Sequence, residues 1–293
     1  MERFGHLAQR LFNRPLLILP HKAEVIMAAL ADRIGIASVV NVHGDVVVPQ
    51  KNAMWDDSEP ATRNANVDVG YDVHNGVAII EIEGTLVQKL GTLRPYSGMM
   101  GYDGIRQVFM SALADDAVRA IVLLIDSPGG EVSGCFDLAD TIFAARGAKP
   151  IWAILNECAY SAAYAIASAA DRITVPRTGG TGSIGVIAMH VDWSTAIQKA
   201  GIKVTFITYG ERKADGAPEL PLSKEALARF QKDIDEVGDL FVATVARNRN
   251  ISASEVRNME AATFQGGHGI ALGLADAVMA PDAAFRALLN ELG

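Results

Sequence analysis

The sequence predicts an α/β protein built on a mostly parallel sheet with flanking helices, and three observations lead there. Short apolar runs bounded by Gly, Pro, Asn or Asp recur at residues 77–82, 121–125, 151–155, 173–175, 184–189 and 204–207. Most are unbroken rather than alternating, the pattern of strands covered on both faces. Stretches with helical spacing separate them, at residues 104–114, 134–145 and 161–170, and strand alternating with helix is what parallel crossovers require.

From the N-terminus, residues 22–35 place Val25, Ile26, Ala29, Leu30 and Ile34 at helical spacing before Gly35. An N-terminal helical extension over residues 1–40 is therefore expected, with one apolar face in need of a partner. Residues 41–74 turn polar and irregular, through Asp56, Asp57, Ser58, Glu59 and Pro60 and then Asn64, Ala65 and Asn66, so a linker is expected there. The main domain is expected over residues 75–293. Its last long element follows Pro221, where Leu227, Phe230, Ile234, Val237, Phe241 and Val245 form one stripe and Ser223 stands ready to cap the helix. That stripe reads as core or subunit interface.

Composition excludes several classes. A chain of 293 residues, 50% apolar, can close one large core. With 20% charged residues and a net charge of −8, it offers no basic face for phosphates, so nucleic-acid binding is not expected. Cys135 and Cys158 are the only thiols, too few for a disulfide framework and without the paired spacing of a zinc site. No metal or cofactor is expected. The apolar run Leu16, Leu17, Ile18, Leu19 is hemmed in by Pro15, Pro20, His21, Lys22 and Glu24, too short to span a bilayer and unlike a secretion signal. A cytoplasmic protein with no membrane anchor is the expectation.

Four segments carry chemistry. After the run at 121–125 come Asp126, Ser127, Pro128, Gly129, Gly130 and Glu131; glycines there let backbone amides approach a ligand, although a tight turn would need the same residues. Ser161 opens a helix of small residues, from Ala162 to Ala170, and is either an N-cap or an uncrowded nucleophile. A glycine-rich turn, with Gly179, Gly180, Gly182 and Gly185 around Ser183, lacks the Lys-Ser/Thr pair of a phosphate loop. Lys213 lies in a polar loop with Glu211, Arg212 and Asp215, where a solvated lysine is the ordinary reading.

Taken in order, these segments resemble the signal-peptide-peptidase A family of serine peptidases, whose fold is shared with Clp-type proteases and crotonases. Within it, Phe12-Asn13-Arg14-Pro15-Leu16, the stretch at 93–105 and the stretch at 264–276 are similar to head proteases of lambda-like phages. The resemblance covers nearly the whole chain. It implies a ClpP/crotonase-like fold and a Ser/Lys dyad, with Ser161 as nucleophile, Lys213 as general base, Ser183 orienting the lysine, and Gly129 and Gly130 supplying oxyanion amides. One departure is Ala162, where many relatives carry glycine. The implied partners are protein or peptide substrates, among them phage scaffold, portal and capsid proteins, in the host cytoplasm or a procapsid. The runner-up is a bacterial peptidase of the same family acting on membrane-derived peptides. A homo-oligomer is expected from the small-residue helices and the apolar stripe.

A free lysine amine titrates at about 10.4, and lowering that by about three units takes roughly 4 kcal/mol of burial. A lysine base must therefore be stripped of water, with Glu211 and Asp215 turned away from it. His190, after the run at 184–189, is the rival base of a Clp-type arrangement. A crotonase-like acyl-thioester enzyme would instead need Glu131 or Glu157 as an acid/base carboxylate. An inactive shell component, kept for assembly contacts, is the third class.

Overall fold

A computed structural model of the chain describes residues 12–23, 25–26, 39–40, 46–47, 70–91 and 98–293. Strand β1 (Leu16–Ile18) is followed by an antiparallel pair, β2 (Val39–Val40) and β3 (Val46–Val47). The main body begins with β4 (Asp72–His74), β5 (Val77–Glu83), β6 (Thr85–Val87) and β7 (Met99–Gly101). Helix α1 (Tyr102–Ala114) leads to β8 (Ala120–Ser127) and β9 (Gly129–Glu131), and α2 (Cys135–Ala144) leads to β10 (Ile151–Ala159). Then come α3 (Ala162–Ser168), β11 (Arg172–Val175), β12 (Gly180–Gly182), α4 (Ser194–Lys199) and a 3-10 turn (Glu211–Ala214). The chain ends with α5 (Lys224–Arg249), α6 (Ala253–Asn258), β13 (Thr263–Gln265), α7 (Gly267–Ala271), β14 (Ala277–Val278) and α8 (Pro281–Leu292).

The expected mostly parallel sheet is present. Its order is β13-β12-β10-β8-β5-β4, with β11 on β10 and β14 on β11. β5, β8, β10, β11 and β14 pair in parallel, and β4 and β13 add antiparallel edges. Side chains that alternate along a strand face opposite layers. Ile121, Leu123, Ile125, Ile151, Ala153 and Leu155 enter the large core beneath α1, α2 and α3, while Val122, Trp152 and Ile154 meet Ala284 and Leu288 of α8. Both faces are apolar, which is why the runs do not alternate. A smaller sheet, β1-β9-β6-β7, stands where β8 ends.

Three expectations change. Residues 184–189 do not form a strand of the sheet; Ile187 and Met189 make single bridges to Leu16 and Phe12, because the chain's own N-terminal segment takes that edge. Residues 204–207 form no strand either. No described strand lies beside them to supply hydrogen bonds, and Ile207 is 97% exposed. The N-terminal stretch is helical only at 20–23 and 25–26 within the described residues, and Leu16–Ile18 is a strand antiparallel to β9. Proline before and after that run favours extended backbone over helix. The remainder of the expected helix at 22–35, and residues 41–69 of the expected linker apart from β3, lie outside the described residues. β4 falls inside the expected linker and turns into β5 through Asn75 and Gly76, both at positive φ.

Helix α5 starts as its cap predicts, the Ser223 hydroxyl accepting the Ala226 N–H at 3.0 Å. Its stripe divides. Phe241 and Val245 are fully buried, whereas Leu227 is 54% exposed, so the first half of the helix projects from the core that holds the second half.

Arg146 fastens the far end of α3. Its Nε donates to Ala169 O at 2.9 Å, and Nη2 donates to Ser168 O, Ala170 O and Asn248 O at 2.8, 2.6 and 3.1 Å. One guanidinium thus satisfies carbonyls that a helix end leaves without partners. Arg146→Ala is expected to cost about 2–4 kcal/mol, because several half-buried acceptors lose their donor; urea unfolding should report this as a lower midpoint at unchanged slope.

Candidate active site

Ser161 is built by a forced turn. β10 ends at Ala159, Tyr160 N–H donates to Ser127 O at 3.1 Å, and Ser161 takes φ 55 and ψ −121 before α3 begins. A residue with a side chain reaches that region only at a cost of about 1–3 kcal/mol, and such strain concentrates where a side chain must be aimed. Neighbouring backbone holds it. Ser161 N–H donates to Gly182 O at 2.9 Å, and Ser161 O accepts Ala165 N–H at 3.0 Å.

Glycines make room for this crossing. A Cβ on Gly129, at φ +99, would collide with the Leu17 carbonyl oxygen and stand 3.0 Å from Ser161 Cβ. A Cβ on Gly130 would run into Leu86 O, and one on Gly180 into the Tyr160 hydroxyl. Gly129 and Gly130 are therefore required by close packing of backbones, and Gly180 by the Tyr160 side chain, whatever else they do.

The serine hydroxyl itself is free. Ser161 is 1% exposed, makes no side-chain cap bond to α3, and its Oγ is buried without a hydrogen-bond partner among the described residues. An N-cap role for it is thereby corrected: at φ 55 and ψ −121 its hydroxyl makes no bond to the helix amides. An unpartnered buried hydroxyl costs stability, and a nucleophile awaiting its base would have this form.

The other expected site residues gather to different degrees. Gly129 adjoins Ser161, with its N–H donating to Ser127 Oγ at 3.2 Å, and Gly130 lies opposite Leu17 in the pairing of β9 with β1. Ser183 is buried at φ 54, one residue beyond the Gly182 carbonyl that holds Ser161 N–H, and its own N–H donates to Ala262 O at 2.8 Å. Lys213 stands apart. It is exposed on the 3-10 turn, and since Ser161 Oγ has no partner, neither Lys213 nor His190 bonds to it within the single chain. Asp215 is held by Arg229, with Oδ2 at 2.7 Å from Nε and 2.6 Å from Nη2.

His190 turns elsewhere: its Nδ1 lies 3.0 Å from Asn13 Oδ1. Asn13 Nδ2 in turn donates to Gly216 O at 2.9 Å, so one side chain joins the histidine to the loop that carries Lys213. The carboxylates that a crotonase-like reaction would need are otherwise placed. Glu131 Oε2 accepts Gln88 N–H at 2.7 Å, and Glu157 is exposed. Sequence reasoning missed Asn13 and Leu16–Ile18 as neighbours of the site. The signal that could have found them is the β-like apolar run Leu16–Leu19 between Pro15 and Pro20.

The family model described as Peptidase family S49 matches residues 144–292, a span that contains Ser161, Ser183 and Lys213. The chain belongs to peptidase family S49. Among relatives, head-tail preconnector protein GP5 of Enterobacteria phage P21 is 38% identical over 295 residues, covering 98% of this chain and 58% of that protein. Capsid assembly protease C of Escherichia phage lambda is 36% identical over 298 residues, covering 100% of this chain and 67% of its own length. The chain thus spans only part of each phage relative. Protease 4 of Haemophilus influenzae is 28% identical over 187 residues, 64% of this chain and 30% of that protein. A solved enoyl-CoA hydratase from Shewanella pealeana aligns with 76% of the chain and 72% of its own at 12% identity and a TM-score of 0.48, too loose a likeness to argue from.

S49 is a peptidase family, and this member also carries two thiols that a cysteine mechanism would need ionised. Burial pushes the Cys135 thiol up to about 12, and burial together with Asp126 does the same to Cys158, whose Sγ donates to Asp126 Oδ1 at 3.3 Å. Both thiols therefore stay protonated, and unreactive, at neutral pH. Iodoacetamide is expected to leave both unmodified in the folded chain near neutral pH and to alkylate both after unfolding in urea, as read by intact mass.

Proposed function

We propose that the chain is a serine endopeptidase in which Ser161 is the nucleophile and Lys213 the general base. The observation that carries this reading is the buried, unpartnered Ser161 hydroxyl on a strained turn, set among glycines in a member of peptidase family S49. In the reaction, Ser161 Oγ attacks the scissile carbonyl carbon as its proton passes to the Lys213 amine. The carbonyl oxygen takes up the charge, and backbone amides at Gly129 and Gly130 are the donors proposed to face it, the Gly129 N–H giving up its 3.2 Å bond to Ser127 Oγ to do so. The C–N bond then breaks, the lysine proton goes to the departing amine, and an acyl ester remains on Ser161. Water repeats the sequence, losing a proton to the lysine, and Ser161 regains its hydrogen as the acid leaves. Ser183 is proposed to orient the amine.

The base reaches the hydroxyl on assembly in this reading. Lys213 is exposed in one chain, and the segment just before it exposes Ile202, Phe206, Ile207 and Tyr209, the last two almost completely. Exposed apolar side chains in a row need a cover, and a second copy of the chain supplies it while drying the amine that must act neutral. The substrates proposed are proteins of a phage head during its assembly, in the host cytoplasm. Support comes from the relatives: one phage protein is named a capsid assembly protease and another a head-tail preconnector. Among the described residues no helix is long and apolar enough to cross a membrane.

Two experiments test this. Labelling by a fluorophosphonate and turnover of a protein substrate should both vanish in Ser161→Ala, and turnover should fall by about 10²–10⁴-fold in Lys213→Ala while His190→Ala keeps most of its rate. A lysine variant that keeps full activity beside an inactive histidine variant would reverse the assignment. Sedimentation should find an oligomer at micromolar concentration. Ile207→Asp is expected to yield a folded but smaller and inactive species, whereas an active monomer would refute completion by assembly.

A further inference from the structure

We propose that residues 12–19 are an internal peptide ligand lying in the substrate cleft over Ser161, and that an extended peptide substrate must displace them. This rests on the proposed role of Ser161. The segment is gripped along both edges by backbone. On one side Leu16, Leu17 and Ile18 pair antiparallel with Glu131, Gly130 and Gly129, and Leu19 N–H donates to Pro128 O at 3.1 Å. On the other side Leu16 N–H donates to Ile187 O at 2.8 Å, Ile187 N–H donates to Leu16 O at 3.0 Å, and Asn13 N–H donates to Met189 O at 2.9 Å. Strand addition of this kind is how extended peptides are bound without regard to most of their sequence.

Its position is the telling part. The Leu17 carbonyl and Ser161 Cβ both crowd the point where a Gly129 side chain would begin, so the Leu17 peptide lies beside the nucleophile. Ser161 is sealed to 1% exposure, and a substrate carbonyl cannot reach its hydroxyl while that strand is in place. Side chains on the segment alternate as a bound peptide's would. Leu17 is fully buried in the large core, whereas Leu16 and Ile18 join a separate cluster with Ala23, Phe12, Ile26, Ile187 and Met189. Asn13 extends the grip to His190 and to the loop of Lys213. The vacated cleft would accept an extended chain with apolar side chains at successive positions, of the kind Leu-Leu-Ile-Leu provides.

The test uses the full chain and a fluorescent synthetic peptide with the sequence of residues 12–19. Leu16→Pro removes the N–H given to Ile187 O, and Asn13→Ala removes the side-chain ties without touching the strand. Either released variant should bind the peptide at least about tenfold more tightly than the parent, as expected when a blocked state is depopulated, and the peptide should compete with an extended substrate. Equal binding by the parent and both variants, or none by any, overturns the proposal. Hydrogen exchange on the unaltered chain covers the case in which a variant does not fold. Saturating peptide should speed exchange of the chain's own residues 12–19, and unchanged protection with peptide bound to the Gly129–Glu131 strand overturns the proposal as well. Binding needs no chemistry, so the two readings separate: peptide capture with full turnover in Ser161→Ala would sink the nucleophile assignment alone.

Discussion

The close passage of backbones around Ser161 is the constraint on which the rest of this structure depends. Chain segments ending β8 and β10, the start of β9 and the glycine turn of β12 converge there, linked by Tyr160 N–H to Ser127 O and Ser161 N–H to Gly182 O. They can do so only where side chains are missing, and Gly129, Gly130 and Gly180 each occupy a point at which a Cβ would strike neighbouring atoms. The strain of Ser161 at positive φ is sustained because so many contacts determine its position.

Behind the turn, the parallel strands act as a stiff support. β5, β8 and β10 present apolar side chains to both layers, and α3 is buried along its whole length against this wall, with Arg146 closing its far end. Close-packed interiors transmit rather than absorb displacement, so a hydroxyl carried on such an element is held in one place. The lysine loop has the opposite character. It follows an exposed, unpaired stretch and stands on the first, projecting half of α5. A rigidly held Ser161 hydroxyl and an exposed lysine loop are what the proposed completion of the site by association would start from.

The N-terminal segment links those two regions. By pairing with β9, bridging Ile187 and Met189, and contacting the loop at Gly216 through Asn13, it occupies what would otherwise be an open edge of β9 and satisfies backbone groups of residues 187 and 189. Unpaired edges invite other chains. Filling them from within protects the chain and places an apolar peptide where the proposed chemistry occurs.

How much of this was legible in the sequence depended on the range of the interaction. The strands at β5, β8, β10 and β11 and the helices between them follow from local pattern, because burial on both faces writes itself as unbroken apolar runs. The Ser223 cap and the glycine motifs were readable for the same reason, since each reflects a constraint carried by a few adjacent residues. Residues 184–189 and 204–207 look equally strand-like, yet neither joins the sheet; a strand needs a partner, and partners are chosen by contacts far apart in sequence. Likewise the sequence named Ser161, Lys213 and His190 as chemistry-bearing residues and ranked their roles only through resemblance. That the serine is buried with Leu17, more than a hundred positions earlier in the chain, close beside it, that the histidine faces Asn13, and that the lysine is exposed were decided by tertiary structure, because distance and water access are properties of the packed chain and not of any one segment.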